Sequence, residues 1–278
     1  MRLVLTIVVA YVVALFVIRI FESHFIFFPN DPGRLEGDWK PRDLQIQNVW
    51  LKASDGVKLH AWWIGADDAV FTFLAFHGNA GNIADRADIY RFLHRLPANI
   101  LAVEYRGYGR SEGTPTEAGL YRDAEAGYAY LTNEKAIDPR TIVSYGQSLG
   151  TAVAAHLAAN RPVGAVVLEA PFPSARVLAA KLFWFLPGVN VLVWRQFDTE
   201  RGLASIEAPL LVVHCTQDPV IPPEMGERVF ASASEPKSIF RVNGYCHEEA
   251  SIISPEKYQV QLRDFLKQVD SRHESRQH

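Results

Sequence analysis

A serine between two glycines lies at a predicted junction of a strand and a helix. Gly146, Ser148 and Gly150 form a GxSxG motif that follows the apolar run 141–145 and precedes the alanine-rich stretch 149–160. On such a turn the hydroxyl stands clear of the sheet, and the glycines avoid collisions with the neighbouring strand and helix. The helix N-terminus adds backbone N–H groups and a positive dipole where an oxyanion would form. This context favours a nucleophilic Ser148 over a serine that only caps a helix.

A serine nucleophile at neutral pH needs a base, and the base needs an acid that orients it. Among the nine histidines, His247 follows the last predicted strand in the loop NGYCH. An imidazole on this loop can lie over the serine, so His247 is the predicted base. His156 falls on the helix after the serine and His214 inside a strand, so neither is expected to approach the hydroxyl from the required side.

Two carboxylates compete for the role of the acid. Asp218 follows the predicted strand that contains His214, and Pro219 biases it towards an extended conformation, as in a loop that turns at this point. Glu169 ends the preceding strand and is the alternative, although it could simply cap the turn at Pro171. We predict Asp218 as the acid.

The oxyanion needs a second donor, which is expected in the loop after the third strand. This loop reads HGNAGN over residues 77–82, and Gly78 lets its backbone approach a substrate carbonyl. We predict the backbone N–H groups of Asn79 and Leu149 as the two donors. His77 precedes the turn and is interpreted as structural.

From residue 46 onward, short apolar runs alternate with helical patterns, which is typical of a mostly parallel sheet covered by helices. The sequence ASDG at 53–56 predicts a hairpin and an antiparallel start. The predicted strands are 46–52, 58–64, 71–76, 100–104, 141–145, 165–169, 209–214 and 237–241. Helices are expected at 117–133, 149–160 and 255–269. These elements predict one α/β domain over 46–270, with helices on both faces of an eight-stranded sheet and a flexible tail at 271–278.

The connection between the sixth and seventh strands is unusually long, because loops of about 2–6 residues suffice in such folds. Residues 171–207 therefore form a predicted cap-like insert. Its run FWFLPGVNVLVW is interrupted by Pro187 and Gly188, so it is too short to cross a bilayer. Core packing, an apolar lid and a membrane-touching surface all remain open for it.

The N-terminal segment differs from the rest of the chain. Residues 3–18 are sixteen residues without a charge, which would span about 24 Å as a helix. We predict an uncleaved single-pass membrane anchor over 1–21 and a juxtamembrane linker over 22–45. A cleaved secretory signal is less favoured, since the bulky sequence RIFESHFIFFP is a poor cleavage site. A buried amphipathic helix is the third possibility, and the side of the membrane stays undetermined.

Composition excludes several other classes of protein. The net charge is −3 and no run of Lys or Arg exceeds two residues, so no nucleic-acid partner is expected. Two cysteines cannot build a disulfide scaffold or a four-cysteine zinc site. The glycines between Gly107 and Gly113 miss the dinucleotide-binding spacing by one residue. We therefore expect an enzyme without metal or cofactor, whose oligomeric state the sequence leaves open.

The blocks HGNAGN, YGQSLG, HCTQDPVIP and GYCHEE together resemble the α/β-hydrolase superfamily over about residues 46–269. More specifically, they resemble membrane-tethered serine hydrolases whose relatives include protein depalmitoylases. The resemblance implies a Ser148–Asp218–His247 triad, no cofactor, and cleavage of carboxylic esters or thioesters through an acyl-enzyme. The substrate would be a small or lipid-like acyl compound. A serine peptidase and a non-catalytic binding scaffold of the same fold are the alternatives.

Four positions depart from the family pattern. Glu104 stands where Asp is expected, and Thr151 where Gly is expected. Cys215 and Cys246 both replace usual glycines and lie close in sequence to the acid and the base. If the acid and the base meet in space, the sulfur atoms of these two cysteines should be neighbours as well. This suggests a disulfide between the two loops, in an oxidising compartment. Two independent buried thiols are the alternative.

Overall fold

Eight strands form one sheet in the computed structural model, which describes residues 1–20, 22–29, 39–186 and 188–275. In chain order β1 to β8 are Ile46–Lys52, Lys58–Ile64, Phe71–Phe76, Ala98–Val103, Ile142–Gln147, Ala165–Glu169, Leu210–Cys215 and Lys237–Val242. Their order across the sheet is β1-β2-β4-β3-β5-β6-β7-β8. Strand β2 is antiparallel to both of its neighbours, and the other pairs are parallel. The predicted mostly parallel sheet with an antiparallel start is confirmed.

The strand bounds agree with the predicted bounds to within two residues at each end. The reason is burial: every residue of β3, β5, β6 and β7 is buried. Strands covered on both faces are continuously apolar, so their ends coincide with changes in composition.

Eleven helices, α1 to α11, accompany the sheet within the described residues. They are Arg2–Ile20, Glu22–Ile26, Ala87–Leu93, Glu117–Ala129, Leu149–Asn160, Ala175–Leu182, Val189–Leu192, Thr199–Leu203, Pro223–Ser232, Ala250–Ile253 and Pro255–Ser275. Helices α3 and α11 pack on one face of the sheet, while α4, α5 and α9 pack on the other. Two apolar cores result, one on each face.

The predicted ends of two helices differ from the observed ones. Helix α4 ends at Ala129 and continues as a short π-helical turn, Tyr130–Glu134. Helix α11 continues to Ser275 instead of ending at residue 269, because neither glycine nor proline follows Pro255 to stop it. Residues 276–278 of the predicted tail lie outside the described residues.

The insert between β6 and β7 contains the short helices α6, α7 and α8. Trp184, Phe185 and Trp194 are 80%, 60% and 70% exposed, so core packing is wrong for these side chains. Phe197, by contrast, is fully buried. The insert is thus anchored by some of its apolar residues and displays others to solvent.

Helix α1 occupies most of the segment predicted as a membrane anchor. Within the described residues, no helix combines the length and the apolar character needed to cross a membrane. The predicted single-pass anchor is not supported by this finding. Residues 22–29 and 39–45 of the predicted linker are described, whereas residues 30–38 lie outside the described residues.

Candidate active site

Ser148 lies on the sharp turn between β5 and α5. Its φ of 49° and ψ of −116° are unusual for a residue with a side chain, and such strain persists only where the surroundings enforce it. A Cβ atom on Gly146 would overlap the carbonyl oxygen of Gly150, and one on Gly150 would overlap that of Phe76 on β3. Glycines are therefore required on both sides of the serine, for the steric reason expected from the motif.

Three side chains from the ends of three strands lie in hydrogen-bond contact. Ser148 follows β5, Asp218 follows β7 and His247 follows β8. The Nε2 atom of His247 lies 3.0 Å from the Ser148 hydroxyl oxygen, and its Nδ1 atom lies 2.8 Å from Asp218 Oδ2. Because an ionised carboxylate only accepts hydrogen bonds, Nδ1 carries the proton and Nε2 is free to accept one from the serine. The structure thus brings together the residues predicted as nucleophile, base and acid.

The Asp218 side chain is fully buried and held by four groups. Its Oδ1 atom accepts hydrogen bonds from the backbone amides of Val220 (2.8 Å) and Ile221 (2.9 Å). Its Oδ2 atom faces His247 and also His214, whose Nε2 atom is 3.3 Å away. Burial acts to raise the pKa of Asp218, but hydrogen bonds from His214 and His247 outweigh it and hold the pKa well below its usual range. Asp218 is therefore ionised at neutral pH.

Local hydrogen bonds fix the backbone at His247, near the end of its loop. The backbone amides of His247 and Glu248 both donate to the Glu249 carboxylate, at 2.9 and 3.1 Å. Burial acts to lower the pKa of His247, but the hydrogen bond to Asp218 and the neighbouring Glu248 carboxylate raise it above its ordinary value. The imidazole is a stronger base than in water, as proton transfer from a serine requires.

The two predicted oxyanion donors are unoccupied by other hydrogen bonds. In the described part of the chain, neither the Asn79 nor the Leu149 backbone N–H donates one. Leu149 opens α5, where the first N–H groups have no acceptor within the helix. The Glu248 carboxylate lies against the Cα atom of Gly78, where a Cβ would overlap it. The loops of the base and of Asn79 are therefore in direct contact.

His77 supports the loop that it precedes, in agreement with its structural interpretation. Its Nε2 atom lies 3.0 Å from Glu104 Oε1, and both side chains are almost completely buried. The other Glu104 oxygen accepts from the Ile83 amide at 3.2 Å, and the Tyr105 hydroxyl donates to the His77 carbonyl. The glutamate found in place of the expected aspartate thus accepts a hydrogen bond at Oε2, while within the described residues its Oε1 atom lies close to His77 without a hydrogen bond.

Glu169, the alternative acid, belongs to a separate buried network. Its carboxylate accepts hydrogen bonds from the Tyr145 hydroxyl, the Gln147 side chain and the Ala250 amide. Burial is the largest influence and raises the pKa of Glu169 to about 7. The Gln147 amide also donates to the Glu248 carbonyl at 3.2 Å. This network joins β5 and β6 to the base loop without touching the serine hydroxyl.

Cys215 and Cys246 form a disulfide, with Cα atoms 5.6 Å apart. The bond connects the end of β7 to the residue before His247.

Thr151, a further departure from the family pattern, is completely buried and donates its hydroxyl proton to the Ser148 carbonyl at 2.6 Å. It stabilises the first turn of α5.

Sequence reasoning missed several residues around this site. His214 contacts Asp218 although it lies within a strand, and Gln147 occupies the variable position of the GxSxG motif. Ile26 and Phe28 contact Asn79 from a segment interpreted only as a linker. None of these contacts has a periodicity or spacing that could have indicated it, because each depends on which loops the fold brings together.

Comparisons with known proteins agree with this architecture. Residues 73–199 match the model of the alpha/beta hydrolase family. The alpha/beta hydrolase domain-containing protein WAV2 of Arabidopsis thaliana is 37% identical over 224 residues, covering 74% of this chain and 70% of WAV2. The chain belongs to the alpha/beta hydrolase family. The match with WAV2 alone spans about three quarters of this α/β-hydrolase chain.

Two further similarities extend over most of this α/β-hydrolase. The uncharacterized protein Rv2307c of Mycobacterium tuberculosis is 36% identical over 225 residues, covering 79% of each chain. The solved structure of the Pyrococcus furiosus esterase Pf2001 superposes with a TM-score of 0.71 at 21% identity, covering 87% of this chain and 97% of the esterase. At that identity the esterase shows a shared fold, which is the α/β-hydrolase fold expected from the sequence.

Proposed function

We propose that this α/β-hydrolase cleaves carboxylic esters or thioesters through a covalent acyl-enzyme on Ser148. The observation that carries the proposal is the chain of short contacts from the Ser148 hydroxyl through His247 to the buried Asp218 carboxylate. The strained backbone of Ser148 supports it as well, because a protein that used the fold only as a scaffold would gain nothing from this conformation.

The geometry supports a two-step acyl transfer. As the Ser148 oxygen bonds to the substrate carbonyl carbon, its proton moves to Nε2 of His247, and Asp218 stabilises the imidazolium that forms. The carbonyl oxygen becomes negative and accepts hydrogen bonds from the Asn79 and Leu149 amides. The intermediate collapses, and the alcohol or thiol leaves with the proton from His247. Water then attacks the acyl-enzyme, gives its proton to His247, and releases the acid and the serine.

We infer an apolar acyl group from the aromatic side chains that the insert exposes to solvent. The insert follows the carboxyl end of β6, which lies at the same edge of the sheet as the triad. Trp184, Phe185 and Trp194 display large apolar surfaces on this insert. Burying such surfaces against a substrate contributes about 25 cal/mol per Å², so longer acyl chains should lower KM.

The nucleophile is tested with Ser148→Ala in the full-length protein. We expect this variant to lose labelling by a fluorophosphonate probe and to lose hydrolysis of nitrophenyl esters and acyl-thioesters by about 10⁴-fold or more. Far-UV circular dichroism should match the wild type, since alanine removes only one oxygen atom.

Ser205→Ala is the matched control, because the Ser205 hydroxyl bonds only locally to the Gly202 carbonyl. It should keep labelling and turnover. Persistent labelling of Ser148→Ala at the wild-type rate would show that the nucleophile is another residue and would refute the proposal.

A further inference from the structure

Asn79 is held from several directions by a segment that lies more than fifty residues earlier in the chain. The Asn79 side-chain amide donates to the Ile26 carbonyl at 3.0 Å. The Asn79 carbonyl accepts from the Phe28 amide and from the Tyr108 hydroxyl, each at 2.9 Å. The Gly81 amide returns a hydrogen bond to the Phe28 carbonyl at 3.1 Å, which completes a short parallel bridge.

The segment that contains Ile26 and Phe28, residues 22–28, is itself packed against the domain. Phe27 is only 5% exposed and belongs to the core on the α4, α5 and α9 face. Its ring packs edge-to-face against Phe197 at 6.0 Å between centroids. Because burying a phenyl ring is strongly favourable, this contact fixes the middle of the segment.

The start of the segment is attached by a buried carboxylate. Glu22 is 8% exposed, and its Oε1 atom accepts hydrogen bonds from the Trp194 and Arg195 amides at 2.8 and 2.9 Å. Removing the Glu22 side chain would take away an acceptor from both of these partly buried amides. Residues 22–28 therefore connect the insert to the loop that carries Asn79.

These contacts constrain the group that the mechanism needs in a fixed direction. The held carbonyl and side chain fix the Asn79 Cα atom, which is one end of the Gly78–Asn79 peptide that carries the N–H group. The carbonyl of that peptide lies 2.7 Å from His77 Nδ1, so the peptide has little freedom to rotate. An oxyanion donor acts through preorganisation, since a donor that must be reoriented during the reaction loses much of its effect.

We propose that residues 22–28 form a brace that positions the Asn79 amide for the oxyanion. This inference rests on the proposed function and adds to it a part of the chain outside the hydrolase core. Weakening the brace should impair the transition state more than substrate binding: kcat falls and KM stays the same. The affinity for a trifluoromethyl ketone, whose hemiketal oxygen occupies the oxyanion position, should fall by the same factor as kcat.

Two variants weaken the brace at different points. Asn79→Ala removes the bond to Ile26 but keeps the backbone N–H, and Glu22→Ala releases the brace from the insert. We expect kcat to fall about 10-fold or more in each, less than the roughly 10²–10³-fold loss of an oxyanion donor itself. KM should change less than twofold, and the pH dependence of kcat/KM should not move, because Asp218 and His247 are untouched. In the double variant, kcat should fall by a smaller factor than the product of the two single-variant factors, because both substitutions act through Asn79.

Glu117→Ala is the matched control. The Glu117 carboxylate accepts from the next two amides of the same insert, Gln196 and Phe197, at 2.8 and 2.7 Å. It approaches from α4 and makes no hydrogen bond to the described residues 22–28. This variant should lose stability while kcat stays within twofold of the wild type. The brace is refuted if Asn79→Ala keeps the wild-type kcat and ketone affinity, or if Glu117→Ala lowers them as much as Glu22→Ala does.

The outcomes separate the brace from the proposed function. Hydrolysis that survives in Ser148→Ala refutes the function, whereas brace variants with wild-type kcat and a fluorophosphonate-reactive Ser148 refute only the brace. If Glu22→Ala fails to fold, Asn79→Ala decides alone, because its half-buried side chain lies on a surface loop.

Discussion

Asp218 contacts two histidines, and their environments assign them different roles. His247 is partly accessible and reaches the serine, whereas the His214 side chain is almost completely buried. His214 Nε2 lies 3.0 Å from the Ile221 carbonyl, an acceptor, so this nitrogen carries a proton that is also directed towards Asp218. The opposite side of the ring packs against Gly226, where a Cβ would overlap Nδ1. His214 is thus a positioning residue that orients the carboxylate.

The role of His214 predicts a change in the pH profile. In His214→Phe the Asp218 carboxylate loses a donor and depends more on His247. The pKa of His247, already raised by Asp218, should then rise further. Since the base acts only when neutral, the acidic limb of the kcat/KM profile should move to higher pH, and kcat should fall about 10-fold, or roughly 1.4 kcal/mol.

Measurements of kcat/KM between pH 5 and 9 test this prediction (roughly the range in which an imidazole titrates). His214→Gln restores a donor at a similar reach and should recover most of both effects. A purely structural role for His214 would lower stability in both variants and leave the limb of the profile where it is in the wild type.

At the scale of elements, the parts predicted best are those whose burial determines composition. The strands β3, β5, β6 and β7 are buried on both faces, so their apolar runs marked their positions. The carboxyl ends of parallel strands share one edge of the sheet, which predicts that Ser148, Asp218 and His247 lie in neighbouring loops.

Contacts between distant loops could not be predicted in this way. The hydrogen bond between Asn79 and Ile26 joins residues 53 positions apart, and neither residue type is unusual for a loop. The position of His214 within a strand predicts that it does not approach the serine, but it lies near the strand end and contacts Asp218. Such contacts depend on the relative positions of elements, which periodicity does not report.

The disulfide connects two of these loops and should contribute strongly to stability. It closes a loop between cysteines 31 positions apart, for which the chain-entropy relation gives about 3–4 kcal/mol. We expect Cys215→Ala/Cys246→Ala to lower the free energy of unfolding in urea by roughly this amount.

A reductant separates the cross-link from the packing of the sulfur atoms. A dithiol added to the wild type should reproduce most of the loss, and the same reductant should leave the double variant unchanged. If oxidised and reduced wild type unfold at the same urea concentration, the bond adds nothing to stability and the two cysteines act as independent buried side chains.

At the scale of the whole molecule, the buried Glu169 side chain makes the stability of the protein depend on pH. Its partners come from β5, from the first residue of α10 and from α11, where the Tyr258 hydroxyl lies 3.5 Å away. Completely buried carboxylates favour the neutral form, which is why the pKa of Glu169 rises to about 7. Between its unfolded pKa and this value, the native protein binds a proton that the unfolded chain has released.

This difference determines how stability changes with pH. Because the native state binds more protons than the unfolded state, the contribution of Glu169 is fully present below about pH 4.3 and is lost as the pH rises to about 7. The loss amounts to roughly 3–4 kcal/mol. The Glu169→Gln variant has no titrating group at this position. The unfolding free energy of the variant should therefore rise relative to that of the wild type as the pH increases from 5 to 8 (roughly the window set by the two pKa values). Urea denaturation at several pH values measures this difference, in which the contributions of His247 and Asp218 cancel. A difference that stays constant with pH would show that Glu169 is ionised in the native protein, and its network would then be held by charge and not by a shared proton.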